Sequence, residues 1–152
     1  MIEELLNTFP DAVKSEDNLI LVKAEHIVDV CSHIKKKGFD FLEAISGADF
    51  EDHIEVIYNI ASYEKPDRIT LTVKISNDNP ILPSVNSVWS GANWHEREAY
   101  DMFGIKFTGH PNLSRILLPD SWEGYPLLKS YPLDKEQEVK LEDETGVEIC
   151  QI

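Results

Sequence analysis

At 152 residues the chain is long enough to bury one core of ordinary domain size, and 42% hydrophobic with 28% charged residues is the composition of a globular fold. With 14 Lys+Arg against 28 Asp+Glu, the formal net charge of -14 repels nucleic acid and anionic lipid, so neither is expected as a direct partner, and a basic protein surface suits it. No apolar run approaches the roughly 20 residues of a membrane helix, and the acidic opening MIEELLNTFP is not a signal peptide; direct membrane insertion is therefore not expected, and a cytoplasmic placement is.

In chain order, residues 2–9 predict a short helix stopped by Pro10. Asn18 to Ala24 predicts a strand paired with the preceding DAVKSED across a turn near Asp17-Asn18. From Glu25 to Lys37, Ile27, Val30, Cys31 and Ile34 recur at helical spacing; Lys35, Lys36 and Lys37 form a solvated last turn, and Gly38 is the stop. Three strand-like runs follow, FDFLEAISGADF, HIEVIYNIASY and RITLTVKIS, with turns at Glu51-Asp52 and Glu64-Lys65-Pro66-Asp67. Ile54, Val56, Tyr58 and Ile60 share one face of their strand, as do Ile69, Leu71, Val73 and Ile75 of theirs. Consecutive strands with short connections predict an antiparallel meander, covered on its apolar face by helix. The fold class is therefore α+β: a two-layer sandwich of a largely antiparallel sheet and helices, with an irregular Pro-rich C-terminal extension.

A helical region from about Ser84 to Phe103 is expected next, ending at Gly104. Beyond it Pro111, Pro119, Pro126 and Pro132 exclude a regular helix, yet the segment carries Ile116, Leu117, Leu118, Trp122, Tyr125, Leu127, Leu128, Tyr131 and Leu133. So apolar an irregular stretch has to bury itself against the domain or a partner. Trp122, Tyr125, Leu127, Leu128, Tyr131 and Leu133 are its expected partner-binding residues. The organisation is a domain over residues 1–133 and an acidic tail over 134–152, with seven acidic residues and two lysines; the tail composition fits a segment disordered in the free protein that lies along a basic groove in a complex.

The chemistry-bearing residues crowd into NWHEREAYDMFG, Asn93 to Gly104. His95 and Glu96 open like the zinc-protease pattern HExxH, but its second histidine position is Ala99. A free-standing metallo-enzyme would have to use His95, Glu98 and His110, short of the closed ligand set a structural metal site requires. At 100° per residue, Arg97, Glu98 and Asp101 share a charged face, with His95 and Met102 at its border, and Glu96 falls among the apolar Ala99, Tyr100 and Phe103. A carboxylate on a buried face is either an acid with a raised pKa or an anchor paired to a base. With no nucleophile or phosphate loop nearby, the anchor is preferred, and Arg115 is its expected ion-pair partner. Cys31 and Cys150 show no CxxC or Cys/His spacing and are expected as reduced thiols. Neither a four-cysteine cluster site nor a nucleotide fingerprint is present.

The long ordered motif from Ala92 to Leu133, ANWHEREAYDMFGIKFTGHPNLSRILLPDSWEGYPLLKSYPL, resembles the signature of the 30-kDa subunit (the C subunit) of NADH-quinone oxidoreductase, respiratory complex I. Relatives of that subunit occur in energy-converting membrane-bound hydrogenases and in deazaflavin-dependent dehydrogenases. The match runs through Glu96, Arg97, Glu98, Asp101, Phe103, Gly104, Gly109, His110, Pro111 and Arg115, then Pro119, Trp122, Glu123, Gly124, Pro126 and Leu127. Ser114, Leu128 and Ser130 depart from it, which puts in question the polar contacts of those positions. The resemblance implies a non-catalytic hydrophilic subunit that binds no cofactor itself. It packs beside a large hydrogenase-like subunit and a small iron–sulfur subunit, with iron–sulfur clusters and a flavin or nickel–iron centre carried by partners. The assembly would sit at the cytoplasmic face of the membrane, the chain held there peripherally through those partners.

Overall fold

The computed structural model describes residues 2–16, 19–134 and 136–137. Helix α1 (Ile2–Thr8) leads into strands β1 (Val13–Glu16) and β2 (Leu19–Val22). A 3-10 turn at Ala24–His26 precedes helix α2 (Ile27–Lys36), and the meander follows as β3 (Phe41–Asp49), β4 (Ile54–Ala61) and β5 (Arg68–Ile75). Strand β6 (Ile81–Pro83), helix α3 (Ala92–Phe103) and strand β7 (Lys106–Thr108) complete the regular elements. From Gly109 onward the described residues contain neither helix nor strand. Apart from Asp134, Glu136 and Gln137, the acidic tail expected over 134–152 lies outside the described residues.

The main sheet has the order β1-β2-β5-β4-β3. Every pair is antiparallel except β2 with β5, which run parallel through Ile20↔Leu71 and Leu21↔Thr72. The alternation expected for β4 and β5 is present: Ile54, Val56, Tyr58 and Ile60 are buried beside Ile75, Val73, Leu71 and Ile69. Each such side chain contributes roughly 1.5–3 kcal/mol by leaving water. The opposite face carries polar pairs, with Thr70 Oγ1 donating to Asn59 Oδ1 at 2.9 Å, Lys74 beside Glu55 at 3.4 Å and Arg68 beside Glu43 at 3.2 Å. One face is packed and the other wet, as an antiparallel sheet allows.

Helix α2 buries Ile27, Val30, Cys31 and Ile34, the stripe its spacing predicts. Its lysine run is only partly a solvated terminus, because Lys35 Nζ donates to the carbonyl of Val88 and Lys37 pairs with Glu4 of α1. The helical region expected from Ser84 begins instead at Ala92. Residues 84–91 form turns, with the N–H groups of Val88 and Trp89 both donating to the carbonyl of Val85. Asn86, Ser87, Ser90 and Gly91 are poor helix formers, and the Val85 N–H is taken by a side chain of α3, so that stretch winds no helix. Flanking α3, β6 and β7 pair in parallel through Ile81↔Lys106, Leu82↔Phe107 and Pro83↔Thr108. Leu82 of β6, Phe107 of β7 and Ile105, between α3 and β7, are buried in the core. Against β3 the helix approaches closely at Gly47, where a Cβ would lie 2.6 Å from the ring of Phe103.

Candidate functional site

Helix α3 presents three surfaces, and each is used differently. Ala92, Glu96, Ala99 and Phe103 face the core. Glu96 is fully buried, as its place among apolar residues predicts, but its partner is not Arg115. Ser84 Oγ donates to Glu96 Oε2 at 2.6 Å, and the Val85 N–H donates to Oε1 at 2.7 Å. His110 Nε2 stands 4.0 Å from Oε2 and 3.2 Å from the Asn93 carbonyl, while its Nδ1 accepts the Asn112 N–H at 3.1 Å. With Nδ1 an acceptor, the proton sits on Nε2 and points at the Asn93 carbonyl. Burial pushes the Glu96 carboxyl up to about 7, held back only by the bonds from Ser84 and Val85. Glu96 is thus an anchor, as expected, but it fastens α3 to the segment after β6 through backbone and hydroxyl donors.

The expected Glu96–Arg115 ion pair fails for a geometric reason. Five residues along a helix turn through 500°, so Glu96 and Asp101 lie about 140° apart around α3, and Arg115 is on the Asp101 side. Arg115 Nη1 donates to Asp101 Oδ1 at 2.7 Å, and Nη2 donates to the carbonyls of Trp122 and Gly124 at 3.0 and 3.1 Å. Asp101 Oδ2 accepts the N–H groups of Ile116, Leu117 and Leu118 at 3.1, 2.8 and 2.9 Å. Burial alone would raise its pKa, but the Leu118 N–H, the Arg115 guanidinium and the Leu117 and Ile116 N–H groups more than offset that and hold it below the usual carboxylate range. Asp101, assigned from its helical angle to a charged surface, is in fact buried. Arg97 continues the same seam, donating from Nε to the Ser114 carbonyl at 3.1 Å and from Nη2 to that of Arg115 at 2.8 Å. Arg97 and Asp101 of the motif therefore supply donors and acceptors to an irregular segment whose prolines deny it a regular ladder.

That segment continues around the C-terminal end of α3. Gly104 stops the helix with φ +74, its N–H donating to the Tyr100 carbonyl at 2.8 Å. The ring of Tyr125 lies where a Cβ of Gly104 would be, 2.6 Å from that position, with the Arg115 guanidinium 5.3 Å from the ring centre. Farther on, the Leu127 N–H donates to the Met102 carbonyl at 3.1 Å and the Lys129 N–H to Asp49 Oδ2 at 2.7 Å, which brings the strap across to β3. Gly104→Ala is expected to cost about 2–4 kcal/mol, from a left-handed Cβ and a forced shift of Tyr125 together. Equilibrium denaturation reads this directly, and an unchanged midpoint would refute the packing described.

The strip expected to bind a partner is divided by this wrapping. Tyr125 rests on Gly104, Leu128 packs against the core, Tyr131 lies over Gly124 and Trp122 is half-buried; Leu127 and Leu133 are exposed. The alternative ligand trio is dispersed. His110 is buried beside Asn93 and Glu96, whereas the exposed Glu98 lines a hollow on the β3 side of the helix with Met102 and Leu127. Among the described residues no group of three or more His, Cys, Asp or Glu side chains could hold a metal ion. No helix among them is long and apolar enough to cross a membrane. Ser84 and the Trp94–Leu117 surface escaped the sequence reading; the Ser84–Glu96 spacing offered no signal, because the intervening turn is irregular.

Comparison with known proteins places this geometry in a family. The sequence model described as "Respiratory-chain NADH dehydrogenase, 30 Kd subunit" matches residues 20–137. The C subunit of NADH-quinone oxidoreductase from Roseiflexus sp. (strain RS-1) is 43% identical over 148 residues, covering 90% of this chain and 85% of the relative. The same subunit of Moorella thermoacetica is 36% identical over 141 residues, covering 89% and 95%. Among solved structures, the trypsin-resistant fragment of Nqo5 aligns with a TM-score of 0.61 and 30% identity, covering 74% of this chain and 100% of that one. A chain of the membrane-bound sulfane sulfur reductase, an archaeal respiratory membrane complex, shares the fold with a TM-score of 0.76 and 22% identity, covering 87% and 84%. The motif on α3, the strap it fastens and a family match spanning both agree, and the chain belongs to the respiratory-chain NADH dehydrogenase 30-kDa subunit family.

Proposed function

We propose that the chain is a non-catalytic subunit of a membrane-associated oxidoreductase complex of the NADH-quinone type, packing beside the large hydrogenase-like subunit and the small iron–sulfur subunit. The observation that carries this is the match over residues 20–137, together with 43% identity across most of the Roseiflexus relative. The chemistry of the chain supports it from the other side. Three of its motif's charged side chains are engaged in holding its own backbone: Glu96 by Ser84 and Val85, Asp101 by Arg115 and three N–H groups, Arg97 by two carbonyls. What these residues produce is a rigid surface, and the electron-carrying groups, iron–sulfur clusters with a flavin or another redox centre, belong in this account to the partners. The chain is held at the cytoplasmic face of the membrane through them. Relatives named as quinone-type subunits favour that assembly over the equivalent subunit of an energy-converting hydrogenase.

The exposed remainder of the strap, Leu127 and Leu133, contributes to the partner surface. Leu127→Asp and Leu133→Asp are expected to change the stability of the isolated chain by no more than about 0.5 kcal/mol, as surface substitutions do. Recovery of the large subunit with the tagged chain should nevertheless fall. A thermal melt paired with quantitative co-purification checks this, and undiminished recovery with both variants would exclude the strap from the interface.

A further inference from the structure

Exposed apolar side chains stand along α3, one from the helix at Trp94 and two from the strap at Leu117 and Leu127. Trp94 is 61% exposed, Leu117 64% and Leu127 54%. They are linked through the seam already described. The Arg97 guanidinium lies 5.5 Å from the Trp94 ring centre and donates to the Arg115 carbonyl, two residues before Leu117. Leu117 is pinned over Asp101 through its N–H, and Leu127 over Met102. One turn on from Trp94, Glu98 stands on the rim of a hollow of about 150 Å³ between α3 and β3, floored by Gly47, Ala99 and Phe103 and edged by Leu127. Among the described residues Glu98 has no hydrogen-bond or ion partner, in contrast to Glu96, Arg97 and Asp101 around it. The nearby Arg97 makes no ion pair with it, its Nε and Nη2 being turned instead to the Ser114 and Arg115 carbonyls.

We propose that this face docks a protein segment carrying one arginine or lysine between apolar side chains, with the cation entering the hollow against Glu98 and its apolar neighbours seated on Trp94, Leu117 and Leu127. Two features select that occupant. The hollow is the size of a single long side chain and has an apolar floor with one carboxylate at its rim, which suits an aliphatic stem ending in a cation. The chain as a whole is acidic, with a net charge of -14, so a second copy would bring like charge to the same place, whereas a basic partner is drawn in. Trp94 is the aromatic anchor of the kind that dominates binding energy once water is excluded around it. This rests on the subunit role proposed above, and it adds which face is covered and what covers it.

The test uses the full tagged chain produced in its native host and recovered with its assembly in mild detergent. A photo-crosslinking residue at position 117 is expected to trap another polypeptide of the assembly at a peptide containing an arginine or lysine flanked by apolar residues. Glu98→Lys should lower recovery of that polypeptide about tenfold or more, while the melting of the purified chain stays unchanged, and Glu98→Gln should give a smaller loss. Changing the trapped cation to glutamate should restore recovery with Glu98→Lys. Crosslinking only to a second copy of this chain, full recovery with Glu98→Lys, or no rescue by the reciprocal change would each overturn the proposal. If the unaltered chain recovers no other polypeptide, the subunit role fails; if it recovers them and Glu98→Lys does so equally, only this docking face fails.

Discussion

Replacing Asp101 with alanine is expected to destabilise the protein by about 3–5 kcal/mol, the usual cost of removing one member of a buried ion pair. The carboxylate accepts from Arg115 and from three consecutive N–H groups. Its removal leaves the Arg115 guanidinium, 12% exposed at its side chain, without its counter-charge, and leaves Ile116–Leu118 without their acceptor. For a chain of this size the loss corresponds to a fall in Tm of roughly 10 °C. Protease cleavage within residues 116–124 should rise at the same time, because the strap has no ladder of its own to hold it. Arg115→Lys should cost less than Asp101→Ala but more than a surface change, since an ammonium cannot serve Asp101 and two carbonyls with a planar fork. The double variant Asp101→Ala with Arg115→Ala should be less destabilised than the sum of its parts, by about 0.5–3 kcal/mol, if the two act as a pair. Strict additivity, or an unchanged melting curve with Asp101→Ala, would show that the seam is not what holds the strap.

The second large effect is one of pH. The Glu96 carboxyl is pushed up to about 7 in the folded chain, against about 4.3 for an unperturbed glutamate. A group whose folded value is raised favours the fold in its protonated form. The contribution is therefore complete below about pH 4.5 and is lost as pH rises through about 7. The full swing is about 4 kcal/mol at roughly 1.4 kcal/mol per unit. The Cys31 thiol and the Tyr58 hydroxyl, raised first by burial, remain neutral, and His110 faces Glu96 from the segment after β7. Asp101 has the opposite sign, its stabilisation being lost as pH falls below the ordinary carboxylate range, so it contributes nothing to the slope between pH 5 and 8. Glu96→Gln keeps the shape and an acceptor for the Val85 N–H while removing the titration. Denaturant midpoints of the two proteins, measured from pH 5 to 8, should converge at the acid end and separate with rising pH, the glutamine variant becoming the more stable. Parallel curves across that range would contradict a raised pKa at Glu96.

How far the sequence carried these conclusions depends on how local each contact is. The alternation of β4 and β5 and the stripe Ile27, Val30, Cys31 and Ile34 are read within one element, and all are buried as their spacing requires. Glu96 was legible for the same reason, falling on its helix among Ala99, Tyr100 and Phe103. Asp101 was not. Its helical angle points away from the core, and only a strap arriving 14 to 17 residues later buries it. Amphipathic periodicity treats whatever faces away from the core as solvent-exposed, and an irregular segment carries no period from which its landing place could be found. The parallel β2–β5 and β6–β7 pairings were missed on the same ground, each joining strands far apart in the chain. Tyr125 is the clearest case within the strap. Its aromatic character marks it equally for a partner and for the Cα of Gly104, and the left-handed turn at Gly104 decides for the latter.

The central claim, that this chain works as a fixed part of a larger redox assembly, meets its most direct test in the composition of what it holds in the cell. A tagged full-length chain, recovered from native membranes in mild detergent, should bring down a large hydrogenase-like subunit and a small iron–sulfur subunit at one copy each. The assembly should show the visible absorption of iron–sulfur clusters, and the chain purified away from it should be colourless and free of stoichiometric metal. A chain recovered alone from those membranes, or one that retains a metal ion or an absorption band of its own after separation, would contradict the account.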